Sequence, residues 1–145
     1  FFFFHHLYIN MPQVEITATG ANCKKLDMKA YGITDRNGWA RIELGDQVKE
    51  TKRVEGANGL DPIWEEVFVF DVADPDNDKF KVSLFFGETQ IGLTAEYSLT
   101  GLIKMKLKYR GMAVPGGKVD LMLRPLDFGP EQEEEEDDMS FMDML

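Results

Sequence analysis

Asp74, Asp76 and Asp78 stand at alternate positions, separated by Pro75 and Asn77, and carboxylates in that spacing open a calcium loop of the EF-hand type. The pattern then fails. Lys79 stands where the sharp turn needs glycine, and Phe85 where a bidentate glutamate would close the ligand shell. The segment reads as a polar turn. Nucleophilic chemistry is no better served. Cys23 is the sole cysteine, and the two histidines, His5 and His6, lie in an unusual leader. No base stands ready to activate the thiol. No glycine-rich phosphate cradle or selected carboxylate pair stands out. No catalytic residue can be picked from the sequence, and the expectation is a protein that is not an enzyme.

Binding chemistry has more to work with. Lys104, Lys106, Lys108 and Arg110 alternate with Met105, Leu107 and Tyr109. Period two places the cations on one outward strand face and the apolar residues inward. That face is either a solvated edge kept from aggregating by its lysines or a docking stripe for an anionic partner. A second basic group comprises Lys49, Lys52 and Arg53, with Arg41 close in sequence. Residues 131–145 hold eight acids and no base, ending in Met139-Ser140-Phe141-Met142-Asp143-Met144-Leu145. An acidic run followed by Phe and Met reads either as a solubilising tail or as a short docking motif. In the second case the acids steer the encounter and Met139, Phe141, Met142, Met144 and Leu145 anchor it. The tail could also lie on the Lys104–Arg110 stripe and mask it.

The elements that must position these groups are strands. Val14, Ile16 and Ala18 alternate with Glu15, Thr17 and Thr19; Trp39–Leu44, a polar Gln47–Val54, Trp64–Val72, Phe80–Phe86, Ile91–Leu93, Ile103–Arg110 and Val119–Leu123 follow, with turn residues between them. About eight strands without an amphipathic helix predict an all-β, eight-stranded antiparallel β-sandwich. The expected organisation is a leader over 1–10 that is not native, a sandwich over 11–128 and a disordered acidic tail over 129–145. Met11, just before the first patterned strand, is the expected true start, and Phe1–Asn10 an over-extended reading of the gene.

Charge follows the same division. Of 26 acids, eight lie in 131–145, leaving 18 against 16 bases, so the remainder is near neutral. A near-neutral domain with an acidic tail disfavours nucleic acid. A single cysteine, no Asn-x-Ser/Thr site and no apolar run near the ~20 residues of a spanning helix suit a cytoplasmic protein.

One run is specific enough to name a family. Asp61-Pro62-Ile63-Trp64-Glu65-Glu66, leading into Val67-Phe68-Val69-Phe70, resembles the Asn-Pro-x-Trp-Asn-Glu signature of C2 domains. Supporting matches are Val14-x-Ile16, Phe80-x-Val82-x-Leu84, Ile91-Gly92 and Gly117-x-Val119-x-Leu121-x-Leu123, so the resemblance spans roughly residues 13–126. One strand before the first long loop and one closing the chain resemble the circularly permuted (type II) C2 topology. In calcium-binding members, aspartates of the first and third loops surround the ions. Here Asp27 matches the first position, and Asp35, or by an equally good alignment Asn37, the second. The third loop reads Phe86-Gly87-Glu88, with Phe86 in the first aspartate position and Glu88 the single matching carboxylate. Asp27, Asp35 and Glu88 are thus residual candidates, too few for the 6–8 oxygens of a calcium shell. No metal and no cofactor is expected. The resemblance also implies a phosphoinositide-type patch at Lys49, Lys52 and Arg53. The expected function is calcium-independent C2-like binding or scaffolding of a protein partner. The alternative is peripheral targeting to an anionic phospholipid membrane with weak or no calcium dependence. The expected place is the cytoplasm, with attachment at a membrane or cytoskeletal assembly as an option. Oligomeric state stays open.

Overall fold

In β1 (Gln13–Asn22) the even residues Val14, Ile16 and Ala18 are buried while their odd neighbours are half-exposed, the period of a strand with one face on a core. It is followed by β2 (Asn37–Leu44), β3 (Gln47–Glu50), β4 (Val54–Glu55), β5 (Ile63–Asp71), β6 (Lys79–Phe86), β7 (Thr89–Ser98), β8 (Lys108–Val114) and β9 (Gly117–Leu126), of which β6 and β9 show the same alternation most clearly. This computed structural model describes residues 12–100 and 108–127. The leader with its expected start at Met11, Lys104, Lys106 and the tail fall outside those residues.

The strands form two antiparallel sheets. One runs β5-β1-β9-β8; the other runs β3-β2-β6-β7, with β4 added beside β2. No α-helix occurs among the described residues. The closing strand β9 lies between β1 and β8, so the end of the fold pairs with its beginning. Between the sheets pack Ile16, Phe70, Leu121 and Leu123 from one side and Ile42, Phe80, Val82, Leu84 and Phe86 from the other. The all-β antiparallel sandwich is as expected, with a two-residue β4 as a ninth strand.

Three local expectations need correction. Gln47–Val54 is not one strand. Thr51 turns inward, donating its N–H to the Ala40 carbonyl at 3.0 Å and accepting the Ala40 N–H on Oγ1 at 2.9 Å, which ends β3. The Ile91–Leu93 strand extends over Thr89–Ser98. A bulge hides its length: the β6–β7 register shifts between Val82 and Leu84, and Gly92 has φ +75°. Leu93 consequently points to solvent, 90% exposed. Finally, Arg110 does not share the outward face expected of it. It stands opposite Leu121, and Met112 opposite Val119, so Arg110 is phased with the buried residues. Because β8 is an edge strand, its guanidinium can run out across the sandwich and cover the Tyr97 ring, 4.1 Å from its centroid.

Candidate functional site

Four connections gather at one end of the sandwich: 23–36, 56–62, the Gly87-Glu88 turn and the Pro115-Gly116 turn. The first is the longest. Buried Leu26 and Ile33 root it in the core. Backbone bonds from Cys23 to Leu60 (2.8 Å) and from Lys25 to Gly116 (3.3 Å) tie it to its neighbours. Gly87, at φ +59°, makes the tight β6–β7 turn, and a Cβ there would come within 2.6 Å of the Asp35 Cβ. Only glycine lets these two connections approach so closely.

Each carboxylate at this end has at least one oxygen engaged by the protein itself. Asp27 Oδ1 accepts the N–H groups of Lys29 (3.1 Å) and Ala30 (3.3 Å), fixing the turn it starts. Asp35 Oδ1 accepts both the backbone N–H and the side-chain amide of Asn37, each at 2.9 Å. Asn37, the alternative ligand, is therefore the partner of the residue it would replace. Glu88 pairs with Arg53 at 2.9 Å. Asp61, the signature's variant first residue, accepts the Asn58 N–H at 2.9 Å and its side-chain amide at 3.1 Å. Chiefly through that backbone bond, its carboxyl is held below the usual carboxylate value. Among the described residues no three His, Cys, Asp or Glu side chains gather into a metal cluster.

Beside these acids is a cation-capped aromatic stack. Trp39 and Phe85 face each other across β2 and β6 on the outer side of their sheet, 4.3 Å apart and 10° from parallel. Arg41 lies 5.4 Å from the Trp39 centroid and 5.0 Å from that of Phe85, and Arg53 lies 4.6 Å from Trp39. The Trp39 Nε1–H donates to the Gly87 carbonyl at 2.8 Å, clamping the β6–β7 turn. Trp64 makes the matching bond to the Gly38 carbonyl at 3.0 Å. The signature tryptophan thus fastens β5 to the start of β2.

The family model of the C2 domain matches residues 15–107. This chain belongs to the C2 domain family. No characterised protein matches it by sequence at a significant level. The fold resembles the C2 domain designated A of plant extended synaptotagmin 1, with a TM-score of 0.66 at 19% identity, covering 82% of this chain and 97% of that one. It also resembles the calcium-bound pair of C2 domains, A and B, of extended synaptotagmin 2 (TM-score 0.64, 15% identity, 79% of this chain and 42% of that chain). A C2 domain-containing protein from a putative elicitor-responsive gene is similar too (0.64, 17%, 81% and 90%). At these identities the likeness is one of fold.

Phe86, which the sequence resemblance sets at the third loop's first aspartate position, has its side chain fully buried in the core. Asp74 and Asp78 sit at the opposite end. Asp78 Oδ2 accepts the N–H groups of Ala73 and Asp74 at 3.1 and 3.0 Å, and Asp74 takes the Asn77 amide at 2.7 Å. The segment is a closed turn.

The expected basic surface is not one patch. Arg53 is turned onto Trp39 and Glu88, and Arg41 is bound to Glu50 at 3.0 Å. Lys49 stands in register with core-facing Ile42, on the side of β3 away from Arg41, and Lys52 is exposed just beyond the strand. Lys108 stands opposite Leu123. Reading the sequence missed a different group: Lys24, Lys25, Lys29 and Arg36, all exposed on the first loop. Their only signal was composition, in a stretch read simply as a polar loop.

Proposed function

We propose that this C2 domain is a calcium-independent binding module that recognises a protein partner and carries no catalysis. The observation behind it is that each loop carboxylate aligned with a calcium ligand already has a hydrogen-bonded or ionic partner, while the remaining aligned position is a core phenylalanine. Asp27 and Asp35 each engage one oxygen in these bonds and Glu88 shares its charge with Arg53, so the aligned positions offer far fewer than the 6–8 oxygens of a calcium shell. Support for a protein partner comes from the outer face of the β5-β1-β9-β8 sheet. There Val67, Thr17 and Met122 stand in one row across three strands, with exposed Val69 beside them. The adjoining row, Val69–Glu15–Arg124, carries an ion pair, so the surface joins apolar and charged groups as protein interfaces do. Pull-down from an extract of the source cells, with Val67→Glu as the control, tests it: the partner should be retained by the native protein and lost by the variant.

A second reading rests on the first loop. Lys24, Lys25, Lys29 and Arg36, with exposed Tyr31 among them, could set the loop end on an anionic membrane without calcium. Each cation near such a surface contributes about 1 kcal/mol. Sedimentation with phosphatidylserine vesicles separates the readings. Binding that survives chelator and is abolished by Lys24→Glu with Lys29→Glu favours the membrane.

A further inference from the structure

Strand β5 spans nine residues and pairs with β1 alone among the described strands, so its other side is an edge. Two observations fix which backbone groups that edge presents. The Val72 N–H donates to the Pro12 carbonyl at 2.9 Å, so even positions turn toward β1. Gln47, from β3, takes both backbone groups of Asp71, donating to its carbonyl and accepting its N–H, each at 2.8 Å, so odd positions turn outward. Alternation then puts the N–H and C=O of Val67 and Val69 on the open edge. Among the described residues no group meets them. Past Val67 stands Glu65 at φ +50°, beside the shift of the β1–β5 register between Ala18 and Gly20. The open window is therefore bounded, by a left-handed residue at one end and by the Gln47 clamp at the other.

The other described edges are blunted, as exposed edges usually are. β3 has four residues, β7 is broken by its bulge at Gly92, and from β8 Arg110 lies across Tyr97. The β5 window has no such guard. Val67 and Val69 are exposed on the outer face of the sheet, in the rows that run through Thr17 to Met122 and through Glu15 to Arg124. A strand added here would continue those rows, and apolar residues suit positions opposite two valines. The underside differs. Gln47 meets Asp71 and the Lys52 N–H meets the Glu66 carboxylate at 2.6 Å, so β3 and its extension run antiparallel to β5. In that register Lys49 comes level with Val69 and Lys52 with Glu66. Lys49 stands opposite core-facing Ile42, so its stem leaves β3 on the side toward the other sheet. Lys49 and Lys52 are exposed and form no ion pair among the described residues. The nearby acids are engaged, Glu66 by the Lys52 N–H and Asp71 by the Gln13 amide at 2.9 Å.

Window and underside together select an occupant. A segment pairing antiparallel with Val67 and Val69 has a core of three residues. Two of them take the hydrogen bonds of the valines, and the one between, opposite Phe68, turns its side chain to the underside. The outer two meet valines and should be apolar. The middle one lies between the levels of Lys49 and Lys52 and should be acidic. A second copy of β5 fits less well. The two-fold register that uses both valines pairs Val67 with Val69 of the copy and brings Glu65 level with Asp71, acid against acid, at both ends. We propose that β5 receives an extended segment of a partner protein, of the pattern apolar–acidic–apolar, as an added antiparallel strand. This rests on the protein-partner reading and deepens it. The partner's backbone is held by the edge, its apolar residues extend the outer face, and its acid is read by Lys49 and Lys52.

Titration of the full chain with short labelled peptides tests it, read by fluorescence polarisation and amide hydrogen exchange. Millimolar peptide with a Val-Glu-Val centre should slow exchange at the Val67 and Val69 amides by at least about tenfold, leaving Ile16 and Phe68, already bonded within the sheet, unchanged. Lys49→Glu should weaken that peptide about fivefold and strengthen one with a Val-Lys-Val centre. Val69→Pro, which deletes an outward N–H and no bond to β1, should abolish binding. No added protection at Val67 and Val69 would overturn the proposal. So would a charge preference that Lys49→Glu leaves unmoved, or protection in peptide-free protein that grows with concentration and marks a second copy on the edge. The protein-partner reading fails separately: a partner lost by Val67→Glu yet retained by Val69→Pro leaves that reading standing and removes strand addition.

Discussion

Both ends of the sandwich hold three or more acids in short compass, and they use them differently. At the 72–78 end, Asp74 and Asp78 accept the chain's own N–H groups and close a turn, with Lys79 paired to Glu96 at 3.9 Å on the adjoining strands. At the loop end, Asp27 and Asp35 do the same for their turns, but Glu88 is neutralised by an arginine that also caps a tryptophan, and four further cations crowd the longest loop. Counting carboxylates would have ranked the ends alike. What separates them is the company the acids keep. A metal site needs several oxygens that converge after the backbone has been served, and among the described residues neither end gathers three such side chains. The loop end differs in offering positive charge.

The largest effect should come from loosening the loop end. Gly87→Ala places a Cβ in the left-handed region and against Asp35, and about 2–4 kcal/mol of stability should be lost in urea denaturation. The control is Gly45→Ala at the opposite end. Gly45 also has positive φ (+62°) but nothing within 4 Å, so the cost should be only about 1 kcal/mol. Equal losses would mean that the close packing of loops distinguishes nothing. Next, Asp78→Ala and Asp35→Ala each remove an acceptor of two donors, and both should cost about 1 kcal/mol. A much smaller loss for Asp35 would mark that carboxylate as available for other work.

Alkali offers a third comparison, within the core. Burial raises the Cys23 thiol from 9.0 to about 11. The unfolded chain loses this proton first, so stability should fall as pH rises from about 9 to 11, and Cys23→Ser should lessen that slope. Native Cys23 should also resist thiol reagents at about pH 8. Acid should give the smallest effect. Asp61 at the loop end and Asp74 at the other sit below their ordinary 3.8, Asp61 chiefly through the Asn58 N–H and Asp74 chiefly through the Asn77 amide. A carboxyl that binds its proton more weakly when folded stabilises the fold above about pH 4, and that contribution fades as pH falls through the depressed value. Asp61→Asn and Asp74→Asn should each flatten the acid limb slightly and alike, since both groups are exposed.

The fold was legible because its strongest signal was periodic. Trp64, Phe68 and Phe70 on one face of a strand bracketed by Pro62 and Asp71 left little choice about burial, and Phe80, Val82, Leu84 and Phe86 repeated the message. Where a bulge broke the period, at Gly92, the strand looked three residues long rather than ten. Arg110 was misplaced because alternation fixes which residues share a face but not which face is inward. The partner strand β9 decided that, through Leu121 and Val119. The loop cations carried no period at all, and only the backbone ties of Cys23 and Lys25 gather them at one end. The carboxylates were visible in sequence, but their partners, Arg53 for Glu88 above all, are brought together only by the fold.

The proposed calcium independence rests on the loop end. Its most direct test is a thermal melt of the full chain in millimolar calcium and again in excess chelator. The two midpoints should coincide within about a degree. A ligand that binds the native state raises the midpoint by mass action, so a calcium-dependent rise of many degrees would contradict it.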